Sequence, residues 1–404
     1  MWDFFIPLSF GATLVMAPRG GDFEPPELVD VVVKHGVTVL QFVPSLLGLW
    51  LDEPTTSRCQ TVRHVFCAGA ALAPALRDRF FDRFERTALY NVYGPTETCI
   101  CSVMYRCERS PTALVPIGRP VANTQLYVLG RDLTLSPIGA AGELYIAGDG
   151  LARGYINRPD LTAERFIANP FPGTAGARMY KTGDRVRYLP DGNVEFLGRD
   201  DEQVKIRGVR IELQEVGATL ARHPAIQQAV VVARNDATGD PQLAAYYVTR
   251  ETNPTGDELR RFLRHTLPAS AVPAWLVRLE ALPLAPNGKI DRRALPEPRR
   301  SAPAERLLQP RTDVERTLTR IWSEVLQVAP IGVNEDFFEL GGHSLLATQV
   351  ISRIHREFGR RVPLRHLFES ATIEALAKII EGEPPLGQQG PVPIIRRAAR
   401  RVSP

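Results

Sequence analysis

The sequence predicts an α/β core, a small α+β unit and an all-α unit, joined in that order along 404 residues. Residues 1–197 alternate short β-branched runs with helical stretches, which is the pattern of layered α/β structure. Residues 198–298 indicate a strand, a helix, two strands and a helix, and so predict an α+β subdomain. Residues 311–381 repeat apolar side chains every three or four positions, which predicts amphipathic helices. Two stretches rich in proline and charge, 299–310 and 382–404, predict linkers beside the helical unit.

Local patterns predict the elements of the first two units. In the first, the runs Val37–Val43 and Val62–Phe66 predict strands. Pro26–Lys34 and Pro74–Glu85 predict helices, and the proline at the start of the second suits a first helical turn. The elements predicted in the second unit are a strand at Val204–Ile211, a helix at Gln214–Arg222, strands at Ala229–Ala233 and Leu243–Val248, and a helix at Gly256–Thr266.

The third unit carries two apolar stripes, each of which predicts one buried helix face. The members of the stripes are Val314, Leu318, Ile321 and Val325 on the first helix and Leu346, Val350, Ile354 and Phe358 on the second.

Composition excludes several classes of protein. Hydrophobic residues make up 44% and charged residues 23%, which is typical of a folded globular chain, and the net charge of +4 does not indicate a nucleic-acid or membrane partner. The five cysteines are an odd number without zinc-binding spacing, so we expect them to be reduced in a cytoplasmic protein. The apolar run Phe4–Ala17 imitates a signal peptide, but Asp3 stands where positive charge is needed. We therefore expect that run to be strand and helix of a core type that an abrupt start of the chain leaves exposed, and we expect no transmembrane segment.

Three stretches of the sequence resemble common catalytic motifs but do not match them. The glycine-rich stretch Gly148–Gly154 misses the dinucleotide-binding pattern because Arg153 occupies the third glycine position. Lys289 follows a glycine as in a phosphate-binding loop, but the next residue is not Ser or Thr. Ser344 lacks the second glycine of a hydrolase nucleophile elbow, because Leu346 stands there.

Other motifs have chemistry that makes sense only in combination. Residues Asn91–Thr98 join an aromatic ring, a tight turn, a hydroxyl and a carboxylate, which could stack on a base, reach a phosphate and hold Mg²⁺. Tyr180–Asp184 ends in an acid able to accept two ribose hydroxyls. The charged segment Gly198–Gly208 lies where the first two units meet and could form a hinge. Each of these stretches, taken alone, is equally compatible with an ordinary surface turn.

Together these motifs resemble the adenylation domain of a nonribosomal peptide synthetase followed by a peptidyl carrier (thiolation) domain. The matching stretches follow the family's order over nearly the whole chain: NVYGPTE, GELYIAGDGLARGY with RPDLTAERF, YKTGD, GRDDEQVKIRGVRIE, NGKID and finally DFFELGGHSL. The resemblance implies an N-terminally truncated adenylate-forming α/β core, a small α+β C-terminal subdomain and an all-α four-helix carrier domain. It also implies ATP, Mg²⁺ and covalently bound 4′-phosphopantetheine as cofactors.

The resemblance implies a nucleotide site. Asn91 would read the adenine edge and Tyr93 would stack on the base. Thr96 would touch the phosphate, and Glu97 would hold the Mg²⁺. The residues assigned to the nucleotide are Gly69, Asn91, Tyr93, Gly94, Thr96, Asp184 and Arg199, of which the last two would hold the ribose.

The second unit would supply the mobile groups. Lys289 would be catalytic, since a flexible cation can stabilise the charge that develops as the substrate carboxylate attacks the α-phosphate. Asp201 would be the hinge, and Lys205 would belong to the thioester-forming orientation. The amino-acid pocket would be formed by Trp2, Gln41, Phe66, Ala68, Val92, Ile100 and Cys101, with Lys289 at its end. A side chain of medium size, polar or weakly polar and uncharged, would fit it.

Ser344 would be the phosphopantetheine attachment point, loaded by a phosphopantetheinyl transferase. It precedes an apolar helix stripe, so we expect it at a helix N-terminus, where backbone N–H groups favour a phosphodiester. The GGHS form of Gly341–Ser344 implies handover to a downstream condensation domain without inversion of the amino acid. The upstream remainder of the module would be a further partner.

The sequence also departs from the family pattern. No Ser/Thr/Gly-rich phosphate loop and no aspartate shortly before Trp2 are present, so the resemblance implies that these residues alone are inactive in adenylation. Smaller departures are Ala70, Gln214 and Gly217. Two alternatives stay open: a carrier or scaffold fragment with an inert adenylation remnant, and a stand-alone acyl-CoA ligase, against which the fused carrier argues.

Overall fold

The chain folds as two units, Met1–Pro298 and Arg299–Pro404, in a computed structural model. The structure describes residues 2–16, 25–110, 114–171, 178–199, 203–206, 208–235, 241–250, 252–284, 290–298, 307–338, 340–342, 344–360, 362–369 and 371–382. None of the helices in these ranges is long and apolar enough to cross a membrane.

A five-stranded sheet organises the beginning of the first unit. Its strands in spatial order are β1 (Val39–Phe42), β2 (His64–Ala68), β3 (Ala88–Tyr93), β4 (Val103–Arg106) and β5 (Arg119–Pro120). The first three strands run parallel, and β4 and β5 are antiparallel to their neighbours. The parallel strands explain why the carboxyl ends of β1, β2 and β3 meet at one edge, which is the usual place for a site in such sheets.

Three helices cover one face of this sheet. They are α2 (Pro25–His35), α3 (Pro44–Asp52) and α4 (Pro74–Arg83), and each begins at a proline, as the fixed φ of proline favours. Their apolar sides enclose Trp50, whose ring stacks on that of Phe84 at 4.9 Å between centroids. Val65 and Leu89 reach this core from the sheet with no exposed surface, so their strand neighbours face the other way.

A second sheet follows, entirely antiparallel. Its strands are β6 (Thr124–Leu129), β7 (Gly142–Gly148), β8 (Phe166–Ala168), β9 (Arg178–Tyr188) and β10 (Val194–Arg199), with the helix α5 (Pro159–Arg165) before β8. The spatial order is β10-β9-β7-β6, and β8 pairs with β9. The YKTGD stretch is therefore an internal strand, not an exposed turn.

The last part of the first unit is α+β, as the sequence predicts. A hairpin of β11 (Gln203–Ile206) and β12 (Val209–Glu212) precedes α6 (Leu213–Ala221), and a three-stranded sheet contains β13 (Ile226–Asn235), β14 (Pro241–Thr249) and β15 (Trp275–Arg278), with α7 (Gly256–Arg264) between the last two strands. The single strand predicted over Val204–Ile211 is wrong. Gly208 adopts a φ of +78°, which turns the chain back and makes two antiparallel strands.

The described part of Arg299–Pro404 contains four helices, which confirms the predicted carrier architecture. They are α8 (Asp313–Leu326), α9 (Ser344–Phe358), α10 (Leu364–Glu369) and α11 (Ile373–Gly382). Both predicted apolar stripes lie in one core, in which Trp322 meets Phe337 edge to face at 4.9 Å. The end of the predicted linker is tied to this unit, because the Val333 amide donates to the Leu308 carbonyl at 2.9 Å.

The apolar N-terminal run is exposed, as expected from the sequence. Residues Trp2–Ser9 form a helix, α1, but the described side chains of this run stay accessible to solvent. Phe5 is 63% exposed and Phe10 is 85% exposed, because no described element packs over them.

Candidate active site

The strand register places four of the predicted pocket residues on one face of the first sheet. Gln41 of β1 is aligned with Phe66 of β2, and Ala68 is aligned with Val92 of β3. Since side chains alternate along a strand, all four point away from the face covered by α2, α3 and α4. The Phe66 ring stacks on Tyr90 at 4.9 Å, which fixes the orientation of one pocket wall.

Ile100 and Cys101 lie in the loop that follows β3. Gly94 begins this loop, and a Cβ added there would lie 2.2 Å from the carbonyl oxygen of Ile100, so only glycine permits the close approach. Cys99 and Ile100 have φ values of +66° and +74°, a strained conformation for non-glycine residues that costs on the order of 1–3 kcal/mol each. Such strain is typical of functional loops.

A buried acid lies next to the end of β3. Asp184, 3% exposed, accepts a hydrogen bond from the Tyr93 hydroxyl and pairs with Arg199 through Nη1 and Oδ1 at 2.5 Å. Arg199 also donates from Nη2 to the Thr182 carbonyl at 3.0 Å. Burial, followed by the negative charge of Asp184, raises the pKa of Tyr93 well above its ordinary value, so the phenol stays protonated and keeps donating. The structure thus brings together the predicted ribose pair, Asp184 and Arg199.

Asn91 and Thr96 differ in accessibility. The Asn91 side chain is 4% exposed and donates from Nδ2 to the Pro116 carbonyl at 2.8 Å, which holds its amide in one orientation. Thr96 is exposed at the start of a short 3₁₀ helix, Thr96–Thr98. The predicted base-reading group is therefore fixed, and the predicted phosphate-contacting hydroxyl faces solvent.

Glu97, the predicted metal ligand, lies in a cluster of donors. Its Oε1 accepts from the Tyr155 hydroxyl at 2.6 Å and from the Tyr180 hydroxyl at 2.9 Å. Arg210 Nη1 donates to Oε1 at 2.8 Å and to Oε2 at 2.9 Å. Burial alone would raise the pKa of Glu97, but the Tyr155 hydrogen bond and the Arg210 charge outweigh it and hold that pKa below its usual range. Glu97 is therefore a carboxylate at neutral pH.

The β11–β12 hairpin brings a second cation to the same place. Lys205 Nζ lies 5.4 Å from the centroid of the Tyr93 ring, and burial lowers the pKa of this lysine. The turn of the hairpin packs closely, since a Cβ on Gly208 would lie 2.7 Å from Val43 Cγ1 and one on Gly69 would lie 3.2 Å from the Gly208 Cα. These close approaches explain glycine at both positions and fix the hairpin against the end of the first sheet.

Four predicted residues lie wholly or in part outside the described part of the chain. Lys289 and Asp201 lie outside the described residues, as does the side chain of Trp2. Ser344 is the first residue of α9, as expected from the sequence, although its side chain is outside the description. Just before it, a Cβ on Gly342 would lie 2.4 Å from Phe337, so glycine is needed for the chain to enter the helix there.

Comparisons with known proteins place this site in a family. The AMP-binding enzyme model matches residues 1–156, the AMP-binding enzyme C-terminal domain model matches residues 215–289, and the phosphopantetheine attachment site model matches residues 316–380. A solved structure of holo-PA1221, a nonribosomal peptide synthetase protein containing adenylation and carrier domains bound to a vinylsulfonamide inhibitor, is 28% identical, with a TM-score of 0.74 over 90% of this chain and 60% of that chain. The chain belongs to the nonribosomal peptide synthetase family.

Other members of the family agree with this assignment. Tyrocidine synthase 3 of Brevibacillus parabrevis is 48% identical over 382 residues, which cover 94% of this chain and 6% of that protein. An artificially fused adenylation–carrier didomain of Klebsiella oxytoca, NpsA-ThdA, is 27% identical, with a TM-score of 0.60 over 92% of this chain and 62% of that chain. The synthetase segment described here therefore has an adenylate-forming fold with its C-terminal subdomain and a carrier domain, and it spans a small part of the curated relatives.

Sequence inspection missed two members of this synthetase site. Tyr155 and Arg210 lie inside motifs that carry the resemblance, but the resemblance assigned no role to either. They meet Glu97 across 58 and 113 residues of sequence, respectively. Because no periodic pattern predicts contacts of that range, only the fold reveals them.

Replacing Arg199 by methionine is expected to destabilise the first unit strongly. The change removes the arginine that contacts Asp184 Oδ1 at 2.5 Å, and breaking a buried ion pair costs about 3–5 kcal/mol in comparable proteins. Arg158→Met is the matched control, because its partner Asp160 is 66% exposed and water can replace the arginine. Chemical denaturation followed by circular dichroism measures both changes, and equal effects of the two substitutions would contradict the role given to Asp184.

Proposed function

We propose that this segment activates an amino acid with ATP and transfers it to 4′-phosphopantetheine on Ser344. The observation that carries the proposal is the position of two buried acids, Asp184 and Glu97, beside the end of β3 and next to the sheet face that holds the predicted pocket. A nucleotide bound there would have its ribose on one acid and its phosphates near Thr96.

In the first half-reaction, a substrate carboxylate oxygen forms a bond to the α-phosphorus of ATP. The bond from that phosphorus to the bridging oxygen breaks, and pyrophosphate leaves with the oxygen and the bonding electron pair. Asp184, oriented by Arg199 and by the Tyr93 hydroxyl, accepts the ribose hydroxyls and fixes the nucleotide. Lys289 stabilises the charge that develops on the phosphate and carboxylate oxygens. Mg²⁺ does not fit Glu97 while Arg210 donates to both carboxylate oxygens, so no step is assigned to the metal here.

In the second half-reaction, the phosphopantetheine sulfur attacks the activated carbonyl and AMP leaves. The docked β11–β12 hairpin puts Lys205 beside Tyr93, which supports a thioester-forming arrangement. The lysine faces the leaving phosphate from this position, where a cation favours departure of AMP. Asp201, between β10 and the hairpin, is the hinge that allows the two lysines to alternate.

The pocket face supports a substrate of medium size. Phe66 and Val92 supply apolar walls, Ala68 leaves space between them, and Gln41 supplies a neutral amide. We infer an uncharged, polar or weakly polar side chain for the amino acid. A phosphopantetheinyl transferase would load the carrier in the cytoplasm, and a downstream condensation domain would receive the amino acid without inversion.

The test is amino-acid-dependent ATP–pyrophosphate exchange, measured in the synthetase module that contains this segment. The expected result is exchange with one amino acid, or a few closely related ones, with an uncharged side chain of medium size. Exchange with charged amino acids alone would contradict the pocket assignment. Loading of Ser344 without any exchange in the module would instead favour the alternative of a carrier fragment with an inert adenylation remnant.

A further inference from the structure

Glu97 needs a positive partner in every state of the protein. Its side chain is 9% exposed, and a carboxylate removed from water in this way is costly unless a cation compensates it. The hydroxyls of Tyr155 and Tyr180 both donate to Oε1, but they carry no charge. Arg210 supplies the charge, and its Nη1 lies within 2.9 Å of both carboxylate oxygens.

That cation comes from the β11–β12 hairpin, which is separate from the first sheet and from the 3₁₀ helix that contains Glu97. Lys205 and Arg210 are aligned directly across the two strands, so both side chains lie on one face of the hairpin. Like charges placed opposite each other destabilise an isolated hairpin. An acid that faces the pair offsets this repulsion, as Glu97 does for Arg210 at 2.8 Å.

A metal ion cannot share Glu97 with this arginine. A divalent cation on the carboxylate would stand within a few ångströms of the guanidinium, and the two charges would repel each other in a region with little water. The oxygens are also occupied as hydrogen-bond acceptors by the arginine. A metal can reach the carboxylate only after the hairpin withdraws.

We infer that Arg210 and a divalent cation are alternative counter-ions of Glu97, so that docking of the β11–β12 hairpin and metal binding exclude each other. The inference rests on the proposed function for its meaning in catalysis. It adds a condition there: Arg210 and Lys205 can take up the positions described above only when no metal is bound to Glu97. The same exclusion would prevent the thioester-forming arrangement from developing while the metal is still bound.

The exclusion can be measured on the 404-residue chain without nucleotide, using Tb³⁺ as the probe. Tb³⁺ is a hard cation that binds carboxylate oxygens, and Tyr155 and Tyr180 lie in position to sensitise its luminescence if it binds Glu97. Arg210→Ala is expected to create a saturable tyrosine-sensitised site at least about tenfold tighter than any site in the wild type, because the competing charge is gone. Mg²⁺ should compete for the new site.

Four variants make the result specific. Arg210→Lys keeps the positive charge and should bind Tb³⁺ as weakly as the wild type. Arg210→Gln removes the charge but keeps a side chain of similar bulk, so it should bind Tb³⁺ like Arg210→Ala. The glutamine variant therefore keeps the test valid if the alanine variant folds poorly. Adding Glu97→Gln to Arg210→Ala should abolish the gain. Arg187→Ala is the matched control, since it uncovers another buried carboxylate, Glu195, which Arg187 contacts at 2.6 Å.

The inference is overturned if Arg210→Ala and Arg210→Gln bind Tb³⁺ no more tightly than the wild type or Arg187→Ala. It is also overturned if the gain persists in the double variant without the Glu97 carboxylate. Both outcomes are independent of the proposed function, because metal binding is read without ATP, amino acid or thiol. Failure of pyrophosphate exchange would leave the metal result standing.

Discussion

Ser344→Ala is expected to abolish attachment of 4′-phosphopantetheine when the chain is incubated with coenzyme A and a phosphopantetheinyl transferase. The reaction transfers the phosphopantetheinyl group to a hydroxyl and releases adenosine 3′,5′-bisphosphate, so alanine removes the nucleophile. Ser344 begins α9, a helix of 15 residues, and the backbone N–H groups of its first turn favour the phosphodiester that forms. Intact-mass measurement shows directly whether the chain has gained the mass of one phosphopantetheinyl group.

Ser352→Ala is the control for that loss. Ser352 lies in the same helix, two turns further along, and its replacement keeps the first turn intact. The variant should be loaded as fully as the wild type. If Ser344→Ala still gains the mass, another side chain carries the group and the carrier assignment of Ser344 is wrong.

Lys289→Ala, in the module that contains this segment, is expected to lower adenylate formation by about a hundredfold or more, the scale of losing one preorganised charge. The reason is that alanine leaves the charge developing on the α-phosphate without its mobile cation. ATP–pyrophosphate exchange measures this half-reaction by itself. Lys181→Ala is the control, since that lysine belongs to the YKTGD strand but is 40% exposed beside Glu143.

Lys205→Ala separates the two half-reactions. Lys205 lies beside Tyr93 in the docked hairpin, so its loss should slow thioester formation and leave exchange nearly unchanged. The opposite division of effects, with exchange lost in Lys205→Ala and kept in Lys289→Ala, would show that the two lysines have been assigned to the wrong steps.

Local patterns in the sequence predicted much of the fold. The proline that begins Pro74–Arg83 marks a helix start because its φ is already helical. The apolar stripe around Leu318 and Ile321 predicted a helix face that is buried in the carrier core. These signals are local, and nothing elsewhere in the fold opposes them.

The wrongly predicted strand has a local cause, whereas the missed site residues depend on contacts between distant parts of the sequence. Gly208 turns Val204–Ile211 into a hairpin, and the apolar alternation of that run concealed the turn. The Glu97 cluster depends on Tyr155 and Arg210, which neither spacing nor residue type connects to that acid.

The central claim is that one protein both activates the amino acid and receives it. The most direct measurement is intact-mass analysis of the carrier after a loaded module has been incubated with ATP and its amino acid. The account predicts a second mass increment, equal to the amino acid less water, that requires ATP, is released by hydroxylamine and is absent in Ser344→Ala. A module that carries phosphopantetheine and catalyses exchange, but gains no aminoacyl thioester on Ser344 with any activated amino acid, would contradict the account.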